Sequence, residues 1–204
     1  MSETALALSL VAVLIPSVIL HEVAHGWVAD QLGDDTARRA GRISLNPLRH
    51  IDPFGTVLLP LVLALVAPFV IGYAKPVPVA TARLNRPRRD PLLVALAGPA
   101  TNLSLAALAI VVFRVVRPES ETVLWWVLAI VTVVNVVLGL FNLLPIPPLD
   151  GSALIEFALP DRWRPIWYRL RLYTLPVFLV VLLLFRDFLD PIFQWAVDLW
   201  RAQQ

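Results

Sequence analysis

No cysteine occurs in the 204 residues, which excludes disulfide bridges and thiolate metal ligands. Any metal here must be held by histidine nitrogen or carboxylate oxygen. Charge is scarce as well: Asp, Glu, Lys and Arg make up 16% of the chain against 58% hydrophobic residues, and mean hydropathy is +0.75. That balance excludes an ordinary soluble domain of this size. The net charge of +2 says little by itself. No basic region precedes the first apolar stretch, where Glu3 is the only charged side chain, so a cleavable signal is not expected and the stretch should be retained. Nor is there an internal repeat, a low-complexity tract or a linker of domain-separating length, so residues 1–204 are expected to form a single membrane-embedded domain.

What is present is a series of apolar segments near residues 5–31, 56–72, 91–116, 122–145 and 174–185, against the roughly 20 residues that a spanning helix needs. The second and the last are short. Between the segments lie connectors rich in proline and arginine, at 33–55, 72–90 and 146–173. The expected fold is an all-α polytopic membrane protein: a core of about three transmembrane helices, an in-membrane or re-entrant segment at 56–72, short extended strands in the connector, and a C-terminal helical region over 161–204. A non-crossing 56–72, interrupted by Pro60 and Pro68, leaves the regions 33–90 and 146–173 on one side, where they hold 13 of the 17 Lys and Arg residues. By the positive-inside bias that side is cytoplasmic. Arg83, Arg86, Arg88 and Arg89 then read as an anchor to lipid headgroups and not as a nucleic-acid site.

Within the first segment, residues 21–25 read His-Glu-Val-Ala-His. Two imidazoles and a carboxylate are expensive to bury in an apolar helix, so a functional reading outranks a decorative one. Positions four apart turn through about 400° on a helix, which puts His21 and His25 on one side, a turn apart, able to hold one metal. Glu22 lies about 100° round from His21, beside the metal, where it can serve as general base without being a ligand. A hydrogen-bonded pair of core histidines would leave Glu22 without a partner.

Catalytic zinc sites commonly use three protein ligands, and the best third candidate is Asp150, in the run Phe-Asn-Leu-Leu-Pro-Ile-Pro-Pro-Leu-Asp-Gly at 141–151. The prolines there prevent regular helix and Gly151 permits an unusual backbone conformation. Asp-Gly is equally a common turn signal. A weaker signal is Gly98-Pro99-Ala100-Thr101-Asn102, where Pro99 can simply kink a helix and Asn102 simply join two helices by a hydrogen bond. His50, outside these runs, reads as a structural or interfacial group, because the three-ligand set is complete without it.

Together the three stretches resemble the site-2 protease family of intramembrane zinc metalloproteases. The family pattern has His-Glu-x-x-His, then Gly-Pro-x-x-Asn, then Asn-x-x-Pro-x-Pro-x-x-Asp-Gly. This chain matches it in order with His21, Glu22 and His25; Gly98, Pro99 and Asn102; and Asn142, Pro145, Pro147, Asp150 and Gly151. The resemblance covers the core from about residue 5 to 160, and the connectors 46–53 and 72–79 are also similar to those of compact members. It implies one zinc per chain on His21, His25 and Asp150, with Glu22 as base and Asn102 near the reacting carbonyl. The implied activity is hydrolysis of a transmembrane protein substrate within the lipid bilayer; the charge bias described above adds the expectation of a site towards the cytoplasm, in the cell membrane, with the N-terminus outside. The extended Lys75–Val79 stretch could then offer a strand edge to an unwound substrate. Two other classes use the same side chains: a metal transporter, which favours ligands spread along a pathway, and an inactive scaffold. A proton or small-molecule carrier would need inverted repeats, and none is visible.

Overall fold

The computed structural model describes residues 2–58, 74–184 and 190–203. The first helix, α1, runs over Glu3–Gln31, started by the Ser2 hydroxyl, which accepts from the Ala5 N–H at 3.2 Å. It ends at Leu32, and Gly33, with φ +105°, turns the chain as a side-chain-bearing residue rarely does. A short helix α2, Thr36–Arg39, follows. Helix α3, Asp90–Val116, carries Pro91 in its first turn, where the missing N–H costs nothing, and Asp90 accepts from the Arg86 N–H at 2.7 Å. Helix α4, Val123–Leu143, is capped by Thr122 and gives way at Leu144 to a proline-rich turn. Beyond it lie α5 (Ser152–Ala158), α6 (Arg164–Leu184) and α7 (Asp190–Arg201).

Three of these helices, α1, α3 and α4, are long and apolar enough to cross a membrane. At 27 residues α3 is about 40 Å long, ample for a hydrocarbon core of about 30 Å. Leu8, Val11, Leu14 and Ile15 on α1, and Leu108, Val111 and Val115 on α3, are exposed, an apolar exterior that lipid satisfies and water does not. The chain is a polytopic membrane protein.

Because lipid tails are as apolar as leucine, helices in a bilayer associate through close packing of small residues and through polar contacts. Helix α3 packs along both α1 and α4, and α7 lies against α4. Ala106 and Ala109 of α3 face Val136, Leu128 and Ala129 of α4, with Ala196 and Trp200 of α7 closing the cluster. At Gly139 an added Cβ would stand 2.9 Å from Leu103, so only glycine lets α4 approach α3 there.

One expectation is met differently, and another falls mostly outside the described residues. Among the described residues no strand forms, and 74–80 runs extended without a ladder partner. The physical reason is that Pro76 and Pro78 have no N–H, while the donors of Lys75, Val77 and Ala80 go to the His50 carbonyl, Glu22 and Asp34. Of the segment 56–72 expected to stay in the membrane without crossing it, residues 59–72 lie outside the described residues.

Candidate metal centre

Helix α1 places His21 and His25 one turn apart, their ring centroids 4.6 Å from each other and their planes at 84°. Both rings are buried. Each is held at Nδ1: His21 by the Asn102 side-chain oxygen at 2.6 Å, His25 by the Val94 carbonyl at 2.7 Å. A ring that donates its Nδ1 proton keeps a lone pair on Nε2, and both Nε2 atoms point at one carboxylate oxygen. Asp150 Oδ2 lies 3.0 Å from the first and 3.4 Å from the second. The three donor atoms fall within 4.8 Å of one another, and among the described residues they form the one such group.

The room for an ion comes from two glycines. A Cβ on Gly98 would sit 2.5 Å from Nε2 of both histidines, so the bare α3 backbone forms the floor of the centre. A Cβ on Gly151 would meet the Leu143 carbonyl oxygen at 2.1 Å. Gly151 has φ −58° and ψ −18°, which any residue can adopt. The expected reason for glycine, an unusual backbone conformation, is therefore replaced by a steric one: the chain doubles back so closely that nothing else fits. The doubling is fastened by Gly151 N–H donating to the Asn142 carbonyl at 2.6 Å, which brings Asp150 under the end of α4. Two neutral imidazoles and one carboxylate, with no thiolate, form a donor set suited to Zn²⁺ with a position left for water. The residues present fit that ion.

Glu22 is half-buried beside this cluster, and its Oε2 accepts the Val77 N–H at 2.9 Å. The connector supplying that N–H rests on α1: a Cβ on Gly26 would lie 2.9 Å from Val77 Cγ1. Further bonds fasten the same stretch. Lys75 N–H donates to the His50 carbonyl at 2.8 Å, Arg42 Nη2 to the Lys75 carbonyl at 2.5 Å, and Ala80 N–H to Asp34 Oδ2 at 2.5 Å. Burial alone would push the Asp34 carboxyl up, but hydrogen bonds from the Thr36 hydroxyl and from the N–H groups of Ala80 and Thr36, with Arg83 nearby, hold it below its ordinary value. His50 is buried outside the cluster, with Nε2 on the Ser44 carbonyl at 2.8 Å.

Asn102 is fully buried, with Oδ1 on His21 and Nδ2 on Asn135 at 2.8 Å. Both polar ends of this amide, expected near the reacting carbonyl, are engaged with other side chains. Sequence reasoning missed Asn135, Ser17, the Val94 carbonyl and the Val77 N–H. The first two left a trace, a lone amide midway along a very apolar segment and a hydroxyl four residues before His21. The two backbone groups left none.

The model of peptidase family M50 matches residues 9–122 and 116–185. The chain is 41% identical over 179 residues to YwhC of Bacillus subtilis (strain 168), covering 84% of this chain and 78% of that protein. It is 34% identical over 140 residues to Rip2 of Mycobacterium tuberculosis (strain ATCC 25618 / H37Rv), covering 69% of this chain and 53% of that one. To Rip3 of the same strain the identity is 36% over 156 residues, 74% of this chain and 30% of Rip3. All three are named as candidate zinc metalloproteases. No solved structure matches the chain. With a family model spanning most of its length and a relative covered over more than two thirds, the chain belongs to peptidase family M50, the site-2 proteases, and is a membrane zinc metalloprotease.

Proposed function

We propose that the chain cleaves transmembrane segments of protein substrates within the bilayer, using one zinc held by His21, His25 and Asp150 and Glu22 as general base. The observation that carries this reading is the convergence of two Nε2 lone pairs and one carboxylate oxygen over a floor without a side chain. When bound, the zinc would polarise the scissile carbonyl and acidify a water. Glu22, anchored at Oε2 by Val77, takes the proton of the attacking water at its other oxygen and delivers it to the departing amine. Asn102 acts here as a positioning residue whose Oδ1 fixes the His21 ring. A substrate helix has its carbonyls bonded and screened by lipid, so it must unwind before it can be attacked. The extended backbone at 74–80, adjoining Glu22, is where an unwound segment would lie.

The site belongs to the cytoplasmic face in this proposal. The Asn85 N–H donates to the Leu32 carbonyl at 2.9 Å, so the chain leaves α1 and returns to α3 on one side. That brings Leu32 and Asn85 together and gathers the basic connectors next to the metal centre, as a cytoplasmic placement requires. The decisive experiment is metal analysis and peptide hydrolysis on detergent-purified protein. One zinc per chain, with cleavage abolished by a chelator and restored by zinc, is the expected result. Zinc flux into liposomes without cleavage would overturn the proposal.

A further inference from the structure

Asn135 and Ser17 contact no candidate ligand, yet they are 1% and 4% exposed, midway along helices of high overall apolarity. An amide buried there without a partner would be strongly unfavourable. Every polar atom of this pair is instead satisfied, and in one direction only. The Ser17 hydroxyl donates to the Val13 carbonyl at 2.8 Å, so towards Asn135 it presents a lone pair. The Val131 carbonyl can only accept. Asn135 lies 3.0 Å from Ser17 Oγ and 2.9 Å from Val131 O, and it must turn its Nδ2 to those two acceptors. Its Oδ1 is then left to accept Asn102 Nδ2 at 2.8 Å, while the Ser17 carbonyl, at 3.4 Å, supports the same orientation of Asn102. Asn102 Oδ1 is thereby committed to His21.

We infer that Asn135 and Ser17 are positioning residues that set the tautomer of His21. Backbone carbonyls of α1 and α4, which cannot reverse their polarity, fix the orientation of Asn135; Asn135 fixes Asn102; and Asn102 Oδ1 requires the imidazole proton on Nδ1. Only that tautomer keeps Nε2 as a lone pair aimed at the cluster. Turning either amide over sets donor against donor or acceptor against acceptor, and presents the metal with an N–H. His25 needs no such relay, because the Val94 carbonyl performs the task directly. This inference rests on His21 being a zinc ligand, and it extends that reading to two residues outside the family motifs in this chain.

The test uses the full chain in detergent, labelled with 15N at histidine, of which it has three. Ring-nitrogen shifts report the tautomer in zinc-free protein, and competition with a chromophoric chelator reports zinc affinity. Asn135→Leu, close in size but unable to accept from Asn102, is expected to give a mixed His21 tautomer and zinc affinity about 10- to 100-fold weaker. Asn102→Asp, whose carboxylate only accepts, is expected to keep the His21 proton on Nδ1, whereas Asn102→Leu is expected to give a mixed tautomer and weaker zinc binding. Should Asn135→Leu not fold, Asn135→Ala provides the same two readouts. A folded Asn135 variant with wild-type affinity and an unchanged His21 tautomer overturns the inference. A wild-type protein that binds zinc without engaging His21 overturns instead the ligand assignment beneath it.

Discussion

The centre has two walls of different construction. One is helical: His21 and His25 on α1 are backed by α3 and α4 through side-chain and carbonyl hydrogen bonds in a buried core. The other is loop: Asp150 arrives on a turn that has room only for glycine at 151, and Glu22 is held by one N–H of an extended connector. The helical wall orients lone pairs; the loop wall delivers charge. Substitutions that disturb the donors in either wall should therefore change how tightly the metal is held, whereas Glu22, which the connector fastens, should separate metal retention from turnover.

The largest effect is expected for Asp150→Ala, which under the proposed ligand set removes the anionic donor and leaves two imidazoles. Zinc measured after dialysis against a weak chelator should be lost together with all cleavage, and retention of full zinc would remove Asp150 from the ligand set. Glu22→Gln should divide the two properties. Turnover falls about 10²- to 10⁴-fold while zinc content and melting temperature hold, because the amide cannot accept the proton of water. Gly98→Ala brings the two walls into direct comparison with Gly151→Ala. The first pushes on both Nε2 atoms and the second displaces the Asp150 turn, and each should weaken zinc about 10- to 100-fold in a chelator titration.

A smaller effect separates the connector from the centre. The folded-state pKa of Asp34 lies below its unfolded value, so its contribution is present above about pH 4 and is lost as pH falls through the lower folded value. The stability difference between wild type and Asp34→Asn, on the order of 2 kcal/mol at neutral pH, should close on acidification, read as converging melting temperatures. A gap that persisted unchanged at low pH would mean that the carboxylate is not what fastens Ala80. No effect at all is expected from Arg38→Cys and Arg88→Cys, exposed positions at either end of the connector in a chain without native cysteine. Both should react with an impermeant maleimide from the same side of the membrane.

The helical wall was more legible in the sequence than the loop wall, and the reason is periodicity. His21 and His25 share a face because four residues make slightly more than one turn, and the apolar runs mark α1, α3 and α4 because a bilayer demands length and apolarity together. Asp150 was legible through the run of prolines and the Asp-Gly pair, yet the need for glycine at 151 was not, since it depends on a carbonyl eight residues earlier approaching to 2.1 Å of where a side chain would start. Asn102 was recognised as a site residue, but its place behind His21 follows from burial, which one chain does not display. The strands expected in the connector do not form among the described residues, because the few N–H groups left by the prolines are drawn to side chains and turns whose positions only the fold provides.

The floor beneath the two histidines has a mechanical meaning. With no side chain at Gly98, the separation of α1 from α3 and the clearance available to an ion are a single dimension. A bilayer whose thickness tilts one helix against the other alters that dimension, because mismatch is relieved by tilt. Metal retention in vesicles of graded acyl-chain length thereby becomes a gauge of interhelical distance, read without any label on the protein.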